Sequence, residues 1–312
     1  MIISASYKTD IPAFYGQWFV NRLDAGYCMM RNPMNRRPIR VSLRPGDVEG
    51  IVFWTKNFRP FMKHVDQVAT TGIPFTVQYT INAYSKSLEH NVVEWKKSVD
   101  ASLRLAERFG PRCVVWRYDT IIFTQDTPAE FHAENFARIA DALKGAVDEV
   151  VISFLQIYKK TKRNMDEMSR QCGNPWFDPE PEIKRSLAQD LFKLAADRNM
   201  VLTICSQPEL LTVQPPSRCI DAARLGDVAG RPIVVKTAGN RPGCECAASR
   251  DIGDYDTCPH GCVYCYAVRT QDLAIRRFKE HNPESEYLFD DPTAPPAELK
   301  QVRQVDQGRL DF

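Results

Sequence analysis

Three cysteines, Cys258, Cys262 and Cys265, fall in the run Cys258-Pro-His-Gly-Cys262-Val-Tyr-Cys265 of this 312-residue chain. The spacing is C-x3-C-x2-C, with an aromatic residue, Tyr264, directly before the third cysteine. Thiolates so placed can hold three corners of a cubane [4Fe–4S] cluster. Such clusters are normally held by four cysteines, so a loop that offers three leaves one iron open to a substrate or a second cofactor. Zinc is the competing ligand, because C-x2-C pairs are common in structural zinc sites. A zinc site wants a fourth Cys or His at a partner spacing, and His260 lies inside the loop, where it would ligate only with strain. The x3 spacing, Tyr264 and a helix expected from about Val263 to His281 favour iron–sulfur.

Seven of the ten cysteines lie between Cys205 and Cys265. Clustering of this kind points to metal binding. Cys205, Cys219, Cys244 and Cys246 form a second set, enough for an auxiliary cluster or a structural zinc. Cys246 alone can also approach the first cluster or serve as a hydrogen-atom donor. Cys28, Cys113 and Cys172 are scattered and are expected to be buried, inert thiols. The N-terminal Met-Ile-Ile-Ser-Ala-Ser lacks a basic region and a long apolar core, so no signal peptide is expected. The expected compartment is the cytoplasm, where thiols stay reduced.

The wider run Tyr255-Asp-Thr-Cys258-Pro-His-Gly-Cys262-Val-Tyr-Cys265-Tyr266-Ala267 resembles the cluster loop of radical S-adenosylmethionine (SAM) enzymes, and most closely the C-x-H-x-C-x-Y-C-Y pattern of their spore-photoproduct-lyase branch. Its late position departs from those enzymes, which carry the loop after the first barrel strand. That position resembles an uncharacterised family whose C-terminal cysteines mimic a radical SAM site. The family's N-terminal hallmark is similar to Ile3-Ser-Ala-Ser6-Tyr-Lys-Thr9-Asp10-Ile-Pro12. The resemblance implies a [4Fe–4S] cluster on Cys258, Cys262 and Cys265 and SAM on the open iron. It also implies Tyr264 beside the adenine, an external reductant, and a thiol such as Cys246 as hydrogen donor. The G-G-E motif that grips the SAM amine in such enzymes is absent from the sequence.

The elements that must position these residues alternate. Ile2–Ser6, Ile51–Thr55, Phe75–Ile81, Val114–Tyr118, Val150–Leu155, Val201–Cys205 and Ile233–Lys236 are short, largely apolar runs, as strands covered on both faces are. Between them, Val92, Trp95, Val99, Leu103 and Ala106 mark one helical stripe, and Ile183, Leu187, Leu191, Leu194 and Ala195 mark another. Thr127-Pro-Ala-Glu130 has the form of a capping box opening a third helix that bears Phe136, Ile139, Ala140 and Leu143. Repeating βα units predict a parallel sheet. The expected fold is α/β, a (β/α) barrel that is incomplete or a permuted radical-SAM-like one. An open doubly wound sheet is the alternative, but no G-x-G-x-x-G loop follows the first strand. One domain is expected over residues 1–281, including the cysteine-rich region 205–265. Residues 208–230 should be irregular, and residues 282–312 a tail lying on the surface or disordered.

In parallel barrels the active site forms at the carboxyl ends of the strands. The polar residues there are Lys8, Thr9, Asp10, Lys56, Asn57, Gln78, Thr80, Asn82, Arg117, Asp119, Ser153, Gln156 and Lys159. Asp10, Lys56, Arg117, Asp119 and Cys246 are the catalytic candidates, and Tyr264, Gln78 and Ser153 the cofactor-binding ones. Asp10 with Lys56, and Arg117 with Asp119, can equally be structural ion pairs. Lys56 or Arg117 can bind a carboxylate or phosphate.

With 41 basic and 39 acidic residues the net charge is +2, so no overall basic field points to nucleic acid. No apolar run approaches the ~20 residues that span a bilayer. No G-x-S-x-G elbow, H-E-x-x-H or P-loop is present. The five histidines lack metal-ligand spacing and are expected to be solvated. Lys159-Lys160-Thr-Lys162-Arg163 is a basic run that can greet an anionic substrate at the barrel mouth. The closing Gln307-Gly-Arg-Leu310-Asp-Phe312 loosely resembles peptides that dock on the DNA sliding clamp. The expected function is a radical-SAM-type iron–sulfur enzyme, with a nucleic-acid-related substrate as one option. The alternative is a non-catalytic, zinc- or Fe–S-stabilised nucleic-acid-associated binding module.

Overall fold

The computed structural model describes residues 1–32 and 35–290. The strands in chain order are β1 (Ile2–Ala5), β2 (Tyr27–Arg31), β3 (Pro38–Ser42), β4 (Gly50–Thr55), β5 (Phe75–Thr80), β6 (Val114–Ile121), β7 (Phe123–Thr124), β8 (Glu149–Phe154), β9 (Trp176–Phe177), β10 (Val201–Ile204) and β11 (Ser249–Asp251). The helices are α1 (Ile11–Phe14), α2 (Gly16–Ala25), α3 (Val65–Thr70), α4 (Trp95–Phe109), α5 (Ala129–Leu143), α6 (Lys159–Cys172), α7 (Pro181–Ala196), α8 (Ala222–Ala229) and α9 (Gln271–Lys279).

Seven strands form one parallel sheet in the order β10-β8-β6-β5-β4-β1-β11. From β1 to β10 the order never reverses, which rules out a doubly wound sheet with its switch point. Among the described residues the sheet is open: β10 and β11 are its two edge strands and do not pair with each other, so it does not close into a barrel. Its alternating side chains feed two cores. Ile3, Ile51, Phe53, Val77, Trp116 and Ile152 pack under Phe19, Val68, Leu105, Phe136 and Leu191 of the flanking helices. On the other face, Ile2, Val52, Val115 and Val151 meet Cys205, Cys219, Ile220, Leu225, Ile233 and Cys246. Both faces are therefore covered, which is why most of these strands appear in the sequence as short, largely apolar runs.

Several expectations are corrected. Ile233–Lys236 is not a strand: Val234 is 93% exposed, and the seventh strand is the polar Ser249–Asp251. Thr127 does not cap α5. Its hydroxyl accepts the Thr124 amide at 3.0 Å and donates to the Ile122 carbonyl at 2.7 Å, tying the preceding turn. The helix expected from Val263 begins only at Gln271, where the Thr270 hydroxyl caps it, because the cysteine loop occupies the intervening chain. Leu103 and Ile183 point outward, while Leu105 and Leu187 take the buried positions. Within 208–230, an α8 helix forms behind the capping carboxylate of Asp221. Cys28 and Cys113 are buried as expected, but Cys172 is exposed at the end of α6. Residues 282–290 lie against α2 and β2: Trp18 Nε1 donates to Ser285 O at 3.0 Å, and Met29 N to Glu286 O at 2.8 Å. The clamp-like Gln307–Phe312 motif lies outside the described residues. Among the described residues no helix is long and apolar enough to cross a membrane.

Candidate functional site

The cysteine loop is hung across the carboxyl ends of the central strands. Just past β1, Asp10 accepts the Ala13 amide at 2.9 Å and so starts α1. Its other oxygen accepts the Lys56 amide, just past β4, and Nε2 of His260, each at 2.8 Å. The far side of the loop is fixed by the segment after β5. Asn91 N donates to His260 O at 2.8 Å, Asn91 Nδ2 to Pro259 O at 2.9 Å, and Val263 N to Leu88 O at 3.0 Å. Gly261 turns the loop at φ +70°, a left-handed conformation that side chains rarely adopt. Tyr264 and Val263 then pack on a small apolar cluster of Leu88, Ile122, Met165 and Met168.

Beside the loop lies a buried charged group. Lys56 Nζ stands 2.8 Å from Glu89 Oε1, with the side chains 14% and 4% exposed. The same carboxylate oxygen accepts the Tyr264 hydroxyl and lies 3.3 Å from Asn82 Nδ2. Burial works against the Lys56 ammonium, yet Glu89 and then Cys262 raise its pKa above the ordinary value. Burial likewise opposes the Glu89 carboxylate, but Lys56, and then hydrogen bonds from Tyr264 and Asn82, hold it below the usual range. A pair this buried stays ionised because each charge is satisfied by the other and by neutral donors. A cavity of about 170 Å³ opens next to it, lined by Thr80, Asn82, Tyr84, Lys86, Glu89 and Trp95.

The three loop thiols are free and half-buried. Burial pushes Cys258 well above the ordinary thiol range, with Asp10, Cys265 and Cys262 adding to it. Cys262 and Cys265 are also raised, burial being the main cause. His260 Nδ1 is buried without a hydrogen-bond partner. Since His260 Nε2 is taken by Asp10, the histidine is a brace for the loop and adds no fourth ligand through that nitrogen. Among the described residues no three His, Cys, Asp or Glu side chains already surround one point as a single metal ion requires.

The remaining candidates divide between two places. Asp10, Lys56 and Tyr264 gather at the loop. Arg117, Asp119, Gln78 and Ser153 lie further along the sheet edge and face the second thiol set. Arg117 pairs with Asp119 at 2.5 Å, as expected, and also donates to Gln78 Oε1 at 3.1 Å and to Cys219 Sγ at 2.9 Å. Burial disfavours the Arg117 cation, but Cys219 and Asp119 raise its pKa well above normal. Ser153 donates to Asp119 Oδ1. Gln78 donates to Cys219 O at 2.9 Å. The Asp10–Lys56 ion pair does not form: Asp10 takes the Lys56 backbone, and the Lys56 ammonium goes to Glu89.

Glu89 escaped the sequence reading because it sits in an irregular segment with no periodic signal. The histidines were misjudged too. His132 and His260 are 0% and 3% exposed, each engaged by the core. Lys160, at the start of α6, donates to Tyr266 O at 2.5 Å and brings the basic run to the rim of the cysteine loop.

No curated protein matches the chain. A family model does, over residues 2–267, a span that takes in both the Asp10 segment and the Cys258 loop. The chain belongs to that family, described as a domain of unknown function, DUF1848.

Proposed function

We propose that the protein is a radical-SAM-type enzyme that carries a [4Fe–4S] cluster on Cys258, Cys262 and Cys265. The observation that carries this is the loop itself: free thiols at C-x3-C-x2-C spacing, braced by Asp10 and Glu89 over the carboxyl ends of parallel strands. That edge is where α/β folds of this kind gather their reacting groups. The donor set fits the cluster. Thiolates are its ordinary ligands, the loop supplies three, and the His260 nitrogen that faces Asp10 is already engaged. The orphaned His260 Nδ1 fits a loop completed by a further group. When bound, the cluster and SAM supply one chemistry: an electron from an external reductant breaks the sulfonium carbon–sulfur bond, leaving methionine and a 5′-deoxyadenosyl radical that abstracts hydrogen.

The chain's own residues bind, orient and exclude water. Asp10 fixes the loop to β1 and β4. Lys56 sets a positive charge beside Cys262 and so eases the burial of a thiolate there. Glu89 accepts the Tyr264 hydroxyl and so fixes that ring in the loop. Arg117, buried and held by Asp119, Gln78 and Cys219, keeps the neighbouring edge of the sheet rigid. Anaerobic reconstitution with iron and sulfide should give a brown protein that yields 5′-deoxyadenosine when reduced with SAM. A folded protein that holds a cluster yet neither binds nor cleaves SAM would sink the radical part.

A second reading, a metal-stabilised binding module for nucleic acid, draws on Lys160 and Arg163, which donate to Tyr266 O and Arg269 O and so hold positive charge at the rim of the loop. Stoichiometric zinc without iron, in both aerobic and anaerobic preparations, would favour it.

A further inference from the structure

We infer that Cys205, Cys219, Cys244 and Cys246 form a second metal site, a mononuclear tetrathiolate of the zinc class, on the face of the sheet opposite the main helices. Four cysteines from three segments of the chain lie side by side there. Cys219 Sγ stands 3.5 Å from Cys205 Sγ, Cys246 is in side-chain contact with Cys219, and Cys244 with Cys246. The separation identifies the class. A tetrahedral ion with metal–sulfur bonds of about 2.3 Å holds its thiolates about 3.8 Å apart. In a cubane cluster each thiolate binds a different iron, so the sulfurs lie further apart. The Cys205–Cys219 contact suits one shared ion.

The surroundings are those of metal-bound thiolates. Arg117 Nη1 donates to Cys219 Sγ at 2.9 Å and Arg241 Nη2 to Cys205 Sγ at 3.4 Å, while Ile220 N points at Cys246 Sγ at 3.4 Å. Such donors offset the negative charge that four thiolates leave on a divalent ion. Cys244 and Cys246 sit on one arm of a tight hairpin, in which Thr237 bridges Ala247 and Ala238 N donates to Cys246 O at 2.9 Å. Gly239 is obligatory in that hairpin, because a Cβ there would fall 2.1 Å from Cys244 O. The contacts run as an open chain, Cys205–Cys219–Cys246–Cys244. No three of these thiols yet surround one point, so binding the ion would draw both Cys246 and the half-buried Cys244 inward. The bound ion would tie the hairpin to the end of β10 and to the segment before α8, pieces otherwise joined by isolated backbone contacts such as Ile204 with Pro216 and Ala247 N with Ile220 O.

The test uses the full chain with Cys258, Cys262 and Cys265 all changed to Ser, so that the result is independent of the cluster loop. That variant, purified and dialysed, should retain about one zinc per chain by elemental analysis. Cobalt in place of zinc should give the intense visible bands of a tetrahedral thiolate site. Cys219→Ser on this background should lose the metal. Should that buried change prevent folding, Cys244→Ser decides instead: it should keep the fold and weaken zinc retention against a chelator by roughly tenfold or more. Zinc retained in full by Cys244→Ser overturns the site, as does a folded chain that takes up neither zinc nor cobalt. Iron with sulfide in the triple variant overturns the mononuclear assignment. A metal-free Cys205–Cys219 disulfide in reductant-free preparations overturns it in favour of a redox pair.

Discussion

Asp10 Oδ2 lies 2.8 Å from His260 Nε2 across 250 residues of sequence, and through it the N-terminal segment holds the cysteine loop in place. Three donors converge on this one buried carboxylate: the amides of Ala13 and Lys56 and the imidazole of His260. Asp10→Ala leaves all three without their acceptor. The expected cost is roughly 1.5–3 kcal/mol of stability in urea unfolding, the range for hydrogen bonds to a charged group. Iron bound per chain after reconstitution should fall as well, since the loop loses its brace. An Asp10→Ala protein with unchanged stability and full iron content would show that the contact does not hold the loop.

Glu89 and Lys56 invite a double-mutant cycle. Removing either partner leaves the other as an uncompensated buried charge, which costs roughly 3–5 kcal/mol. Glu89→Gln and Lys56→Met should each destabilise by that order. The double variant should lose less than the sum, because no lone charge remains. Additive losses would mean that the 2.8 Å contact carries no coupling.

Cys262→Ala tests the ligand assignment. Cys262 is paired in the antiparallel bridge with Glu89 and lies beside Lys56, so it is the thiol most tightly tied to the site. The variant should keep the fold and lose the visible absorbance and labile sulfide of a reconstituted cluster. Full iron and sulfide content in this variant would refute the role of the loop as cluster ligand.

What was legible in the sequence follows from burial. Ile51–Thr55 was readable because both faces of that strand are covered, so four of its five residues are apolar, and Phe75–Ile81 was readable because Phe75, Val77, Tyr79 and Ile81 alternate into one core. The same rule misled at Ile233–Lys236, where one apolar side chain, Ile233, is buried and its neighbour Val234 faces solvent. It was blind at β11, whose Ser-Arg-Asp run has no hydrophobic signal. That edge strand is fixed by Asp251, which accepts hydroxyls of Ser4 at 2.8 Å and Ser6 at 2.7 Å. The C-x3-C-x2-C spacing was visible because it is local. Glu89 was not, because its partner Tyr264 is 175 residues away and the contact exists only once the loop is folded over the sheet.

Acid should weaken the fold through His132. Its Nε2 donates to Ile122 O at 2.9 Å, so Nδ1 accepts the Tyr118 hydroxyl, also at 2.9 Å, and the ring is fully buried. Burial lowers its pKa from 6.5 to about 4. As the pH falls below 6.5 the unfolded chain takes up a proton that the folded chain refuses until about pH 4. Stability from this group is thus complete above pH 6.5 and declines between pH 6.5 and 4, by about 3 kcal/mol in all. His64 and His281 are also lowered by burial and act in the same direction, so the wild-type slope alone does not isolate His132. His132→Gln keeps a donor for Ile122 O and removes the proton. In urea titrations across this window it should flatten the pH dependence by up to one proton relative to wild type. An unchanged slope would place the acid sensitivity elsewhere.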